Sequence, residues 1–221
     1  MFFAAVHSFV PPVAKAIWRP KVTGLEHVPR SGAVILASNH LSFIDSTMIP
    51  VVVPRKVVFL AKSDYFTGTG IKGALIRAWF EGLGMLPVDR DDKKSAIASL
   101  DTALEVLGRG EAFGIYPEGT RSRDGRLYRG RTGVAHLALS AGAPVVPVGL
   151  RGTQDLQPVG ARVPRLAPVS VAFGPPILPT GYDGVPLGRA RRELTDRIMT
   201  AIAELSGQDE AGMYNERPSE A

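Results

Sequence analysis

Short apolar runs recur along the chain, separated by longer segments in which apolar residues follow helical spacing. A run of about four to eight apolar or β-branched residues between Gly, Pro or polar residues is typical of a fully buried strand. Six runs are predicted to be strands: Ala33–Ser38, Lys56–Ala61, Met85–Val88, Ala112–Tyr116, Val145–Leu150 and Val169–Phe173.

Helical spacing marks five segments between and after these strands. The predicted helices lie near Ser46–Val53 and over Gly70–Glu81, Lys93–Leu107, Thr132–Ala141 and Leu187–Leu205. The signal is strongest after Lys93, because Asp92 can cap the helix start and Gly108 can end it. Strands that alternate with helices predict an α/β fold with a mixed, largely parallel sheet flanked by helices. In such sheets, functional residues lie just past the carboxyl ends of the strands.

The chain of 221 residues is long enough for one domain with a sizeable core. We expect apolar N-terminal helices over residues 1–24, an α/β domain over 25–206 and a flexible polar tail over 207–221. Pro11 and Pro12 divide the N-terminal segment, so neither half reaches the roughly 20 apolar residues that span a bilayer. Two short apolar helices followed by basic residues suit insertion at a membrane interface, and a helix packed on the core fits equally well.

Composition narrows the chemistry that is open to this chain. There is no cysteine, which excludes disulfides, thiolate metal sites and a Cys-acyl intermediate. With four histidines, a His-rich metal cluster is not expected either. His136 lies in an apolar helical stretch and is expected to be a core residue. The reactive groups are therefore His40, carboxylates, hydroxyls and arginines.

The net charge of +5 favours anionic partners such as phosphate groups or acidic lipid surfaces. Arginines are concentrated between residues 121 and 131, at Arg121, Arg123, Arg126, Arg129 and Arg131. A nucleic-acid surface would interleave several aromatic residues with such a run, and only Tyr128 does so. Nucleic acid is therefore not an expected partner.

The first candidate site is Asn39–Asp45, after the first predicted strand. His40 and Asp45 are five residues apart, which on a regular helix would separate them by about 140° around the axis. They can meet only if a turn joins them and Asp45 enters the next helix. Asp45 would then hold one imidazole nitrogen and leave the other to accept a proton, as a general base requires. A structural histidine, with Asp45 as a helix cap, fits this segment equally well.

The second candidate site is Tyr116–Ser122, after the strand that begins at Ala112. It brings a carboxylate (Glu118), a glycine (Gly119) and a guanidinium (Arg121) to one strand end. Gly119 allows a backbone or ligand to approach closely, and Arg121 offers a planar fork for phosphate. The alternative is a surface turn with a Glu–Arg pair, which leaves its abrupt position after a buried strand unexplained.

Together, these segments resemble the glycerolipid acyltransferase family, whose bacterial type is 1-acylglycerol-3-phosphate acyltransferase. Asn39–Asp45 resembles its NHxxxxD motif, and Tyr116–Ser122 resembles FPEGTRS with Tyr for Phe. Gly84–Arg90 resembles a segment that ends in a phosphate-binding Arg, and Val145–Val148 matches an apolar-Pro strand. The four occur in family order over about residues 33–150. Where the family often has a Lys before the next helix, this chain has Arg131.

The resemblance implies a glycerol-3-phosphate-acyltransferase-like fold and acyl transfer from acyl-CoA or acyl-ACP to the free hydroxyl of lysophosphatidic acid, giving phosphatidic acid. It implies His40 as general base, Asp45 as its orienter, and no cofactor or metal. The acceptor-binding residues that it implies are Arg90, Glu118, Gly119, Thr120 and Arg121. The implied partners are the two lipid substrates, an anionic membrane surface and, where it carries the acyl group, acyl-carrier protein. The apolar N-terminus and the supply of acyl donors predict a peripheral or monotopic location on the cytoplasmic face of the cell membrane.

Several alternatives stay open at this level. The acceptor can be another lysophospholipid or a glycosylated phospholipid, because the arginines indicate only a phosphate. A non-catalytic lipid-binding protein would give His40 no role, and an acyl-enzyme on Ser38 or Ser42 would replace direct attack. Gly68–Gly73 is a literal G-x-G-x-x-G, which is typical of dinucleotide-binding oxidoreductases. Lys62–Thr67 intervene, however, where that fingerprint needs an immediate strand-to-helix turn.

Overall fold

The computed structural model describes residues 12–88, 93–161 and 163–216. Seven strands of the described chain form one sheet in the order β1-β7-β6-β2-β5-β3-β4. They are β1 (Lys21–Thr23), β2 (Val34–Ser38), β3 (Val57–Lys62), β4 (Met85–Val88), β5 (Ala112–Ile115), β6 (Val145–Arg151) and β7 (Ser170–Phe173). Neighbouring strands are parallel except β6 and β7, which are antiparallel. The predicted mixed, largely parallel sheet is confirmed.

Helices cover both faces of this sheet. They are α1 (described over residues 12–18), α2 (Asp45–Val52), α3 (Gly70–Gly82), α4 (Lys93–Gly108), α5 (Gly133–Ala141), α6 (Thr153–Leu156) and α7 (Leu187–Ser206). Each of the six strands and five helices predicted between residues 33 and 205 is present, with each end within one residue of its predicted position. Two short elements, β1 and α6, were not predicted, because three or four residues are too few to show a period.

The core lies on both sides of β2, where alternate residues face opposite layers. Val34 and Leu36 belong to a cluster with residues of α2, whereas Ile35 and Ala37 belong to a cluster with residues of α4, α5 and α7. All five residues of β2 are buried. This two-sided burial explains why the strand has no polar alternation.

The sheet brings the two candidate segments to the same edge. β2 and β5 are parallel neighbours, with Ala37 opposite Ile115. The loop after β2 contains His40, and the loop after β5 contains Glu118 and Gly119. Because parallel strands end on the same side, both loops leave the sheet side by side.

The N-terminal segment is described only from residue 12, and residues 1–11 lie outside the described part. In α1, Ala14 is buried and Trp18 packs against the core, while Val13 and Ile17 are 55% and 51% exposed. One stripe of α1 therefore packs inward, and the neighbouring apolar stripe faces outward. Among the described residues, no helix combines the length and the apolar character needed to cross a membrane.

Residues 208–215 of the predicted tail lie against the loop between β5 and α5. Leu127 N donates to Asp209 O (2.9 Å), Ala211 N donates to Leu127 O (2.8 Å), and Arg129 N donates to Met213 O (2.8 Å). This part of the tail is thus hydrogen bonded to the body of the protein. The proposed domain limits at residues 24 and 207 stay predictions.

Candidate active site

His40 and Asp45 meet as the turn hypothesis required. His40 Nδ1 and Asp45 Oδ2 are 2.8 Å apart, and α2 begins at Asp45. The same oxygen accepts the backbone N–H groups of Leu41 (2.7 Å) and Ser42 (2.8 Å). Asp45 therefore closes its own loop and orients the imidazole at the same time. It does not cap α2, because the N-cap residue is Ile44 and Asp45 Oδ2 binds backbone groups that precede the helix.

The pairing determines which imidazole nitrogen can take a proton. Asp45 is fully buried, and its carboxylate can only accept hydrogen bonds. His40 Nδ1 must therefore carry the proton, which leaves Nε2 as the basic nitrogen. The side chain of His40 is 14% exposed, so the ring reaches the surface of the site.

Tyr116 holds the imidazole from the side. Its ring stacks on that of His40 with centroids 3.9 Å apart and planes 10° apart. Its hydroxyl lies 2.9 Å from Ser46 Oγ, at the start of α2. Neither Tyr116 nor Ser46 was singled out from the sequence, although both stand in or next to a quoted motif. The ring of His40 is thus oriented by a carboxylate at its edge and an aromatic ring on its face.

Glu118 joins the two motif loops. It is fully buried, Oε1 accepts the backbone N–H of His40 (3.0 Å), and Oε2 accepts that of Tyr128 (2.9 Å). Burial raises the pKa of the carboxyl to about 7; the two backbone hydrogen bonds oppose this shift, and the charge of Asp45 adds to it. Both oxygens thus bind backbone groups of the protein, and the predicted contact of Glu118 with the acceptor stays a prediction. Glu118 holds the backbone of His40.

Asn39 anchors the same loop to β6, a contact that sequence reasoning did not assign. Its Nδ2 donates to Leu150 O (2.9 Å), and its Oδ1 accepts from Leu150 N (2.8 Å). Asn39 Nδ2 also donates to Gln208 Oε1 (2.7 Å). The residue before His40 is thereby fixed to the neighbouring strand and to the C-terminal segment. In the sequence, the position of Asn39 in the NHxxxxD motif was the signal that could have indicated this role.

An apolar cavity of about 230 Å³ opens beside His40. It lies between the strands β3 and β5 and the helices α4 and α5, and its apolar lining includes Phe59, Leu100, Ala103, Phe113, Val134 and Leu137. A Cβ on Gly114 would lie 2.1 Å from Phe59 Cζ, so only glycine leaves room for this ring. The general-base candidate therefore borders an apolar cavity rather than a polar cleft.

The rim of the cavity carries the predicted glycine and a guanidinium. Gly119 and Arg131 both line it, and Gly119 has φ +81°, in the left-handed region. A Cβ on Gly119 would lie 3.0 Å from Arg131 Nε. Thr120 is half-buried and Arg121 is exposed. Arg90 lies outside the described residues, so its predicted contact stays a prediction.

His136 lies outside the cavity, and among the described residues its hydrogen-bond partners are not carboxylates, unlike that of His40. Its Nδ1 is 2.7 Å from Arg191 Nη2 and 3.3 Å from Ser140 Oγ, and it does not line the cavity. Burial, and then the charge of Arg191, lower its pKa. Within the described ranges, no group of three or more His, Asp or Glu side chains is arranged to hold a metal ion.

The glycine-rich segment has a packing role. Gly70 begins α3, whereas β3 ends at Lys62, so the strand and the helix are not joined by an immediate turn. A Cβ on Gly73 would lie 2.2 Å from the backbone of Gly68. These two glycines therefore allow the loop to pack on the first turn of α3, which explains the motif without a dinucleotide.

Comparison with known proteins shows that the chain is an acyltransferase by family. Residues 19–151 match the acyltransferase family model, and the chain belongs to that family. It is 33% identical over 147 residues to the chloroplastic 1-acyl-sn-glycerol-3-phosphate acyltransferase of Arabidopsis thaliana, covering 65% of this chain and 39% of that protein. It is 33% identical over 165 residues to the 1-acyl-sn-glycerol-3-phosphate acyltransferase of Limnanthes douglasii, covering 71% of this chain and 54% of that protein.

Among solved structures, the chain is similar to the 1-acyl-sn-glycerophosphate (LPA) acyltransferase PlsC of Thermotoga maritima. The TM-score is 0.70 at 25% identity, with 92% of this chain and 79% of that chain covered. The chain spans about half or less of the length of these two plant relatives. The family and the fold are therefore shown.

Proposed function

We propose that this protein transfers a fatty acyl group from acyl-CoA or acyl-ACP to the free hydroxyl of lysophosphatidic acid, giving phosphatidic acid. The observation that carries the proposal is the His40–Asp45 pair at the point where an apolar cavity meets an arginine-bearing rim. An acyl chain requires an apolar cavity, a phosphate requires cations, and the hydroxyl between them requires a base. The named activities of the relatives support the same acceptor.

The chemistry follows from the state of His40. The acceptor hydroxyl transfers its proton to Nε2 while its oxygen attacks the thioester carbonyl carbon. The carbon–sulfur bond breaks and the thiolate leaves, so no acyl-enzyme is needed. Asp45 stabilises the imidazolium that forms, through the hydrogen bond to Nδ1. A positioned base of this kind contributes typically about 10²–10⁴-fold to the rate.

Serine nucleophiles fit this arrangement less well. Ser38 is fully buried and lies 3.4 Å from Asn39 Oδ1, and Ser42 Oγ donates to Gln157 O at 2.7 Å. Neither hydroxyl lines the cavity. The hydroxyls of both serines thus make hydrogen bonds that hold the His40 loop. Direct attack by the acceptor is the mechanism we propose.

The acceptor phosphate is proposed to bind at the rim of the cavity. Gly119 leaves space there, and Arg131 borders the opening. Arg121 is exposed in the same loop, and its guanidinium forms no hydrogen bond with any residue of the described chain. Thr120 and Arg90 are proposed to add contacts on the grounds of the family motifs alone. Another lysophospholipid would satisfy the same cations.

A peripheral position on an anionic membrane is proposed for the whole protein, on the cytoplasmic face where acyl donors are made. Val13 and Ile17 of α1 are exposed, and Lys15 and Arg19 stand among them. An apolar stripe flanked by cations is typical of a helix that lies in a membrane interface. A lipid acceptor would reach His40 from such a surface.

The test is thiol release from palmitoyl-CoA in the presence of lysophosphatidic acid, in the wild type and in His40→Ala. We expect release that requires the acceptor and that falls by at least about 10²-fold in the variant. His136→Ala is the matched control, because this histidine lies outside the cavity. Its rate should stay within about twofold of the wild type, with both variants checked by thermal unfolding.

Two results would contradict the proposal. Acceptor-dependent release that persists in folded His40→Ala would eliminate His40 as the base. Background release by the wild type with acyl-CoA, acyl-ACP and several lysophospholipids would favour the non-catalytic lipid-binding alternative.

A further inference from the structure

The described C-terminal residues 208–216, here called the C-terminal strap, run along the arginine-rich loop between β5 and α5. The strap bonds to this loop at Leu127 and Arg129 through the backbone, and Asn215 Nδ2 donates to Arg121 O (3.1 Å). It therefore touches the segment that forms the rim of the cavity at several successive points. The strap lies beyond residues 19–151, which match the family model.

Tyr214 is the centre of the contact between the strap and the arginines. The guanidinium carbon of Arg129 lies 5.3 Å from the centroid of its ring, and that of Arg131 lies 5.7 Å from it. Arg192 Nη1 donates to the Tyr214 hydroxyl (3.2 Å), and Arg131 Nη2 donates to the neighbouring Asn215 O (3.3 Å). The ring of Tyr214 thus makes cation–π contacts with the guanidinium groups of two loop arginines.

Carboxylates neutralise other arginines of this region but not these two. Asp124 pairs with Arg126 (2.7 Å), and Asp196 pairs with Arg192. No carboxylate of the described chain lies within ion-pair distance of Arg129 or Arg131. Two like charges held on one ring, with most of their N–H donors unused, favour an anion between them.

We propose that Tyr214 is a positioning residue for phosphate binding: it orients Arg131, which lies at the cavity rim, and Arg129, which is held on the same ring, to bind the phosphate monoester of the acceptor. A long arginine side chain loses rotamer freedom when it binds, and prior ordering by the ring and by Asn215 O reduces this loss. The identity of the acceptor rests on the proposed function. Phosphate binding itself does not require turnover.

The experiment measures equilibrium binding of a short-chain lysophosphatidic acid, below its micelle concentration, by calorimetry without acyl donor. We expect Tyr214→Ala to weaken binding by about 3–10-fold, because two cation–π contacts are lost. Tyr214→Phe keeps the ring and should remain within about twofold of the wild type. Binding of the matching monoacylglycerol, which lacks the phosphate, should not change in either variant.

Tyr182→Ala is the matched control. Arg197 Nη1 donates to the Tyr182 hydroxyl (3.1 Å), as Arg192 Nη1 does to the Tyr214 hydroxyl, but Tyr182 does not border the cavity. This variant should bind the phosphate lipid like the wild type. An equal loss in Tyr182→Ala, or equal losses in Tyr214→Ala and Tyr214→Phe, would overturn the positioning role.

A double-mutant cycle separates positioning from a general loss of structure. In an Arg131→Ala background, Tyr214→Ala should have a smaller effect than in the wild type, because it acts through the missing guanidinium. Full additivity would overturn the proposal. In kinetics, Tyr214→Ala should raise the KM for the acceptor and leave kcat and the KM for the donor within about twofold.

The outcomes distinguish this inference from the proposed function. Tyr214-dependent phosphate-lipid binding without acyl transfer would support the inference and overturn the proposed reaction. Acyl transfer by a wild type whose acceptor binding is unchanged in Tyr214→Ala would support the proposed reaction and overturn the inference. A wild type that shows no preference for the phosphate-bearing lipid would overturn both.

Discussion

At the scale of single residues, buried carboxylates organise this site through the backbone. Asp45 Oδ2 accepts three hydrogen bonds, two of them from backbone N–H groups, and both oxygens of Glu118 accept backbone N–H groups. Asp45 Oδ1 is buried and has no hydrogen-bond partner among the described residues. Burying two carboxylates so close together is unfavourable, and the pKa of Glu118 is raised by its burial and further by the charge of Asp45.

The pKa of Glu118 predicts how the free energy of unfolding changes with pH. The folded-state pKa of about 7 lies above the ordinary value of 4.5, so between these values the folded protein binds more protons than the unfolded chain. The contribution of Glu118 to stability should therefore be greatest below about pH 4.5 and should decline as the pH rises toward 7. The decline is on the order of 3 kcal/mol.

Denaturant unfolding between pH 4.5 and 8, in the wild type and in Glu118→Gln, measures this contribution. The amide of the variant cannot ionise, so the stability difference between the two proteins should change in favour of the variant as the pH rises. Parallel pH profiles would show that Glu118 does not titrate in this range.

At the scale of elements, the cavity depends on one close approach between neighbouring strands. Gly114 of β5 lies against the ring of Phe59 of β3, and both line the cavity. Phe59 is 1% exposed, and a Cβ at residue 114 would have to displace its ring from the wall of the cavity. The shape of the cavity is therefore set by the pairing of β3 with β5 as well as by the covering helices.

Gly114→Ala should destabilise the protein by about 1–3 kcal/mol, the usual effect of overpacking a core. Gly133→Ala is a matched control at another wall of the cavity, because its Cβ would lie 3.5 Å from Leu100 Cδ2, an ordinary contact. That variant should unfold within about 0.5 kcal/mol of the wild type. Urea unfolding of both variants is the measurement, and equal stabilities would contradict the close approach of Phe59.

At the scale of the whole molecule, two of the segments that carry exposed apolar side chains are joined to the site. Trp18 Nε1 of α1 donates to Arg165 O (3.2 Å), and Ser42 Oγ donates to Gln157 O (2.7 Å). The loop over residues 157–168 therefore bridges α1 and the His40 loop. Its exposed apolar side chains are Val159, Val163 and Leu166.

Membrane association is predicted to depend on these segments. The wild type should co-sediment with vesicles that contain anionic phospholipid at low salt, and Ile17→Asp combined with Leu166→Asp should reduce the bound fraction several-fold. Leu178→Asp is the control, since Leu178 is 55% exposed but belongs to neither segment. Wild-type protein that stays in the supernatant, or an equal effect of Leu178→Asp, would count against peripheral binding.

The amino-acid sequence by itself determined the elements and pointed to the candidate base. Each strand and helix that it predicted between residues 33 and 205 is present, because continuous apolar runs and helical spacing directly reflect burial on two faces or one. The turn between His40 and Asp45 also followed from spacing, since five residues on a helix cannot bring the two side chains together.

Only the tertiary structure decided what the remaining polar residues do. From the sequence, Glu118 is predicted to bind the acceptor. In the structure, both of its oxygens accept hydrogen bonds from backbone groups of other segments. Tyr116 stacks on His40, and Tyr214 reaches the arginine loop, through contacts between segments far apart in the chain. Spacing and composition describe local periodicity, whereas these roles arise from long-range packing of parallel strands and a returning C-terminal segment, which no local pattern encodes.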